Sequence, residues 1–315
     1  MIHPFLVLTS ALCFLACTNS FPPEDSDLAK RTLKGPVKFV EETAYWAKKR
    51  AKPFDLNQLN LADDFRDQST RRWHFNEDGQ IRLSRYFKEG QLKWEIRDSF
   101  DQRGNRIQRL RYDAYQEKIL ERTEIFRYNE ENKLLEESAF DLDSILVLKA
   151  INIYNDTQQL IKTVTNQGEF QKKIHTTTFK YDAAERVVEQ REERWRNPSI
   201  RVVYTYDGTS SHKASKEVYQ SDSILVRKED YVYQTDNQLA KKTATYLENG
   251  YEWVYLYNEE GWIATSQKIE LTGRKAIIKD YENLYEYDAR GNWTRKAVFD
   301  HGVLSQLMLR RIEYY

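Results

Sequence analysis

Cysteine is almost absent from this sequence. The only two, Cys13 and Cys17, lie in the first seventeen residues, so the rest of the chain can form no disulfide and carries no thiol nucleophile. Histidine is nearly as scarce. His3, His74, His175, His212 and His301 are scattered, with none three to five residues from another, which leaves no zinc-like pair in the sequence. Neither sign of charge is in excess: 49 basic residues meet 49 acidic ones, and nothing overall draws the chain to nucleic acid or anionic lipid. Basic stretches such as "RGNRIQRLRY" interleave arginine with aromatics, but acidic neighbours cancel them. The single long apolar run, Phe5–Ala16, is too short to cross a bilayer. There is no G-x-S-x-G elbow and no glycine loop to cradle a phosphate. "DLDSI" and "SDSI" offer carboxylates without the pattern of a calcium loop, and read as ordinary turns. No cofactor and no enzyme activity are therefore expected. An active site assembled across distant segments stays open as an alternative.

What is abundant is aromatic side chain. Seven Trp, 21 Tyr and 14 Phe argue for a folded chain despite 31% charged residues and a mean hydropathy of −0.80. They are not scattered. An aromatic followed by Asx, or by Gln in one copy, and then by a turn recurs nine times, with the aromatic at Phe75, Phe100, Tyr128, Tyr154, Tyr181, Tyr206, Tyr233, Tyr257 and Tyr287. The spacing stays between 24 and 30 residues, which marks a repeat architecture. Seven copies carry a second aromatic two positions earlier, on the same face of a strand, as in Trp73/Phe75 and Tyr255/Tyr257. Asn or Asp then opens a turn, and Gly or Asn four residues after the aromatic supplies the positive φ that closes it.

A second turn falls midway through most units, at "KEGQ" (Lys88–Gln91), "LENGY" (Leu247–Tyr251), "RNPS" (Arg196–Ser199) and "DHGV" (Asp300–Val303), among others. Ten of the eleven glycines fall in these turns, Gly35 being the exception. Two strands per unit predict about eighteen strands, with one or two more from "PVKFVEETAYWAKK". The expected fold is all-β: a long antiparallel meander of hairpin repeats, about 18–20 strands with a period of about 26 residues. Charged residues fall in phase with the aromatics, Lys279 with Tyr281 and Tyr285, which argues against a dry interior. A twisted or curled open sheet is therefore expected rather than a tight barrel. The "LNQLNLADDFRDQS" segment, Leu56–Ser69, reads as a loop.

Two resemblances add to this. The start, "MIHPFLVLTSALCFLACTNS", ends its apolar run in "FLAC" and resembles a bacterial lipoprotein signal, which implies cleavage before Cys17 and lipidation of that residue. A plain secretory signal or an uncleaved anchor is the alternative. The Tyr-Asp-x-x-Gly-Asn core of "YDARGNW", with "FDQRGN", resembles the YD or Rhs-type repeat of bacterial surface and secreted proteins, over roughly Phe75 to the end. That resemblance implies a meander that spirals or curls into a shell. No toxin role is carried over, because no effector segment follows the last repeat in this sequence.

The expected organisation is a signal peptide over 1–16, a polar tether over 17–34, an N-terminal strand and loop cap over 35–70, and the repeat domain over 71–315. The expected role is an envelope lipoprotein, periplasmic or surface-exposed, that binds or adheres through its sheet without catalysis. Its partners would be the membrane, through the lipid, and a protein or glycan ligand, but not nucleic acid. Exposed aromatics stack on sugars or fill partner pockets, so Trp94, Trp195, Trp253, Trp262 and Trp293 are the candidate ligand-facing residues. The repeat's own aromatic ladder is the competing role for them. A structural or assembly role in the periplasm is the second reading.

Overall fold

The computed structural model describes residues 33–51, 65–114, 117–168, 173–235, 237–273 and 275–315. Cys17, the signal segment and almost all of the tether lie outside these, as does 52–64. Twenty antiparallel strands, β1 to β20 in chain order, form a single sheet in which each strand pairs with the next. β1 (Val37–Ala51) also pairs with β20 (Val303–Tyr314) over most of its length, from Val37 opposite Tyr314 to Trp46 opposite Gln306. The meander is thus a closed barrel and not the open, curled sheet expected from the sequence. The charged side chain that argued against a barrel did not prevent closure: Lys279 is paired, binding Asp300 at 3.3 Å. The strand count agrees with the repeat arithmetic. One boundary moves: Phe65–Ser69, expected in a loop, opens β2 (Phe65–Phe75), where Ser69 lies opposite Ala44.

The recurring phrase has a defined local structure. In seven of its nine copies the Asx side chain, as at Asp101, Asn155 and Asp288, accepts a hydrogen bond from the backbone N–H four residues on. The residue before that N–H has positive φ whether or not it is glycine: Gly104 at 81°, Gln158 at 62°, Glu185 at 61°. In all nine copies the ladder register slips at the second aromatic, where the start of the return strand carries a bulge.

That bulge explains why the aromatic is so often tyrosine. The Tyr128 hydroxyl donates to the carbonyl of Arg106, Tyr154 to that of Leu134, Tyr181 to that of Leu160 and Tyr206 to that of Val187. Each acceptor is the residue paired with the preceding copy's aromatic, so each tyrosine serves a main-chain carbonyl at its predecessor's bulge. Burial of these hydroxyls raises their pKa, to about 12 at Tyr128.

The ring closes around Asn292, which is fully buried. Its side-chain oxygen accepts from the N–H of Lys34, while its amide donates to the Lys34 carbonyl and to the Tyr314 hydroxyl. The Tyr314 hydroxyl in turn donates to Asp288. Gly35, the one glycine outside the predicted turns, has φ +85° and packs directly under Arg290. A ring of about eight strands fills with its own side chains, and one of about 16–18 does not. Among the described residues the buried apolar side chains accordingly form three small clusters, with others buried singly, and not one core.

Candidate functional site at the seam

Following ladder partners around the ring keeps the phrase aromatics on one face. Lys242, Tyr255, Ser266 and Tyr281 stand in one row, and Tyr285, Lys296, Met308 and Ala44 in another. This aromatic face is the more crowded. Asp98, Glu137 and Glu229 on it are each 5% exposed or less, whereas Val232, Leu256 and Leu284 on the opposite face are exposed. His74 points to that opposite face, its ring 4.8 Å from Phe39.

At the seam the aromatic face carries an alternating row of cations and rings. Arg310 on β20 stands opposite Glu42 on β1, Glu42 opposite Arg71 on β2, Arg71 opposite Tyr86 on β3 (Ile81–Lys88), and Tyr86 opposite Trp94 on β4 (Gln91–Phe100). Trp94 stacks on Tyr86 at 5.7 Å, and Arg71 lies 5.9 Å from the same ring. At the other end the Arg310 guanidinium lies 3.4 Å from the centre of the Trp293 ring, a cation–π contact, and donates to Glu42 at 2.8 Å. Beside it, on β19 (Trp293–Asp300), the Lys296 ammonium is 5.5 Å from the ring of Tyr285 on β18 (Ile277–Tyr287). Burial lowers the pKa of both Lys296 and Arg310 and raises that of Tyr285.

Two of the candidate tryptophans meet on this stretch of the face, and a third lies in a separate stack. Trp262 and Trp293 approach edge to face at 6.3 Å, both against Tyr285, and Trp253 stacks on Tyr255 and on Tyr281. Trp94 stands at the far end of the seam row, stacked on Tyr86. Trp293 differs from the expectation in one respect: only 3% exposed, it is a packed wall under Arg310 and not an open platform. Trp195 stands apart. It occupies the hairpin turn itself, with Arg196 stacked at 4.2 Å, because the turn expected at Arg196–Ser199 falls at Trp195–Arg196 and Asn197 already begins a strand.

Arg71, Lys296, Arg310 and Glu42 were not singled out from the sequence. The only local signal is that Lys296 and Arg310 alternate in phase with Val298 and Met308, inside strands that otherwise read as repeat. In a second polar cluster on the aromatic face Glu229 is bound by Tyr231, Arg227 and Lys242, and the buried Arg227 Nε has no acceptor among the described residues. Among the described residues no three His, Cys, Asp or Glu side chains are placed to hold a metal ion.

No protein-family model matches this chain, and no curated protein does. Partial likeness exists to solved structures. The Photorhabdus luminescens Tc holotoxin pore aligns at TM-score 0.41 and 14% identity, over 82% of this chain and 15% of that one. A porin-like protein from Bacteroides uniformis aligns at TM-score 0.38 and 9% identity, over 89% of this chain and 99% of that one. The TcdB2–TccC3–Cdc42 structure aligns at TM-score 0.32 and 10% identity, over 87% and 17%. The chain thus spans a small part of the toxin components it overlaps, and these overlaps carry no functional argument.

Proposed function

We propose that this chain is an exported lipoprotein of the cell envelope that acts as a non-catalytic binding module for a protein or glycan, held to the membrane through Cys17. The observation that carries the binding half is the seam row, where Trp94, Tyr86, Arg71, Glu42, Arg310 and Trp293 line one wall with cations set between rings. Rings supply flat apolar contact at small entropic cost, and the charges between them orient a polar partner.

Attachment by a lipid, rather than insertion of the ring itself, is supported by the composition of both walls. A membrane-spanning barrel needs an outward apolar band ~25 Å tall. The opposite face interrupts any such band with Lys228, Asp230, Lys241, Glu252, Asp280, Glu282 and Glu286, and the aromatic face does so with Lys242, Glu229, Lys279 and Arg310.

Protease shaving of intact cells, wild type beside Cys17→Ala, tests this reading. Wild-type protein is expected to be cleaved on unbroken cells and to fractionate with membrane, and the variant to lose the membrane. Protection of the wild type until the outer membrane is opened would overturn surface binding in favour of a periplasmic assembly role.

A further inference from the structure

The seam wall has more positive charge than its own residues neutralise. Arg71 from β2, Lys296 from β19 and Arg310 from β20 stand along the seam with one strand carboxylate between them, Glu42 from β1, while Glu260, in the turn beside the wall, takes the Tyr287 hydroxyl. Glu42 is bound to Arg310 through a single guanidinium nitrogen. The Arg310 side chain is only 9% exposed, yet its Nε and its other terminal nitrogen, both fully buried, have no hydrogen-bond acceptor among the described residues. Lys296, half-buried beside it, has no carboxylate within ion-pairing distance among them. The Tyr285 hydroxyl is taken by the Ile263 carbonyl and offers these cations nothing.

A buried cation with unmet donors is costly unless an acceptor comes from elsewhere, and a planar guanidinium fits a carboxylate best. The surroundings limit what can carry that carboxylate. Trp262, Tyr285 and Tyr287 make a run of rings next to the cations, with neighbouring centroids 6.1–6.3 Å apart, backed by the buried Trp293. Such a surface suits the flat C–H face of a sugar.

We propose that the wall built by Arg310, Lys296, Trp262 and Tyr287 is a binding site for a carboxylate-bearing saccharide, a uronic-acid type of glycan. The acid group meets the Arg310 guanidinium and the Lys296 ammonium, and the sugar ring lies against Trp262 and Tyr287. This assignment rests on the binding-module reading and names its ligand class.

Isothermal titration of the full-length chain against four probes tests it: an oligogalacturonate, a neutral hexose oligomer of the same length, inorganic phosphate and an oligoglutamate peptide. The oligogalacturonate is expected to bind, with the neutral oligomer and phosphate each at least about tenfold weaker. Lys296→Gln should weaken it about tenfold and remove most of its salt dependence, because one charge-assisted contact is lost while the ring surface stays. Arg310→Gln should act in the same direction, and Lys296→Gln carries the test if that variant fails to fold. Tight binding of the neutral oligomer, unchanged in Lys296→Gln, would overturn the acidic site and leave the binding module standing. A preference for phosphate or for oligoglutamate would equally overturn the saccharide assignment. Binding of none of the four would remove both this site and the glycan form of the module.

Discussion

Glu95 shows how single residues in this protein depend on their neighbours. On the face opposite the aromatics, it is 1% exposed and takes hydrogen bonds from Arg85, Arg97 and Lys118 at 2.7, 2.6 and 2.5 Å. Burial alone would raise its pKa, but the three cationic donors outweigh burial and hold the carboxyl at about 2. A folded-state pKa below the ordinary glutamate value stabilises the fold fully above that value. The stabilisation is lost as pH falls from roughly 4.3 through about 2. Urea midpoints at pH 7, 4.5 and 3 should therefore show Glu95→Gln less stable than wild type at pH 7, with the gap narrowing by pH 3. A gap of constant size would mean that the three cations do not depress this carboxyl. None of this was legible in the sequence, where Glu95 is one of 49 acidic residues and its partner Lys118 lies 23 positions away.

At the scale of the hairpin, the phrase is a turn, a bulge and a tyrosine acting on the bulge before it. Each unit is thereby coupled to its predecessor, as in other linear repeats. Two substitutions of opposite sign follow. Tyr181→Phe removes the side-chain donor to the Leu160 carbonyl and should destabilise the fold by about 1–2 kcal/mol. Glu185→Gly relieves a non-glycine residue held at φ 61° and should stabilise it by ~0.5–1 kcal/mol, the left-handed strain less glycine's entropy. Denaturant midpoints of the two variants moving in the same direction would contradict this account of the unit. Much of it was readable beforehand, since Asx, glycine and alternating aromatics are local signals. Most of the turns expected from the sequence fall within a residue or two of their places among the described residues, and "RNPS" misplaced one because Trp195–Arg196 carries no turn residue while Pro198 does. The bulge and its tyrosine bond were not readable, because they depend on which carbonyl lies beside the ring one unit away.

At the scale of the whole molecule, closure decides what the repeat can do. An open meander would leave β1 and β20 as bare edges, a hazard for chain-to-chain pairing, and a closed ring removes both. Closure also creates the seam, the one place where β1 and β2 meet β19 and β20 and where Arg71, Glu42 and Arg310 come into one row. The sequence could not show this, because Glu42 and Arg310 are 268 positions apart and each sits in an unexceptional strand. Disulfide trapping across the seam tests closure most directly. In a background with Cys13 and Cys17 replaced by serine, Ala44→Cys with Met308→Cys should cross-link on mild oxidation as completely as a control pair within one hairpin, Thr163→Cys with Thr177→Cys. Efficient cross-linking of the control with none at Ala44/Met308 would contradict the closed ring, and with it the seam site.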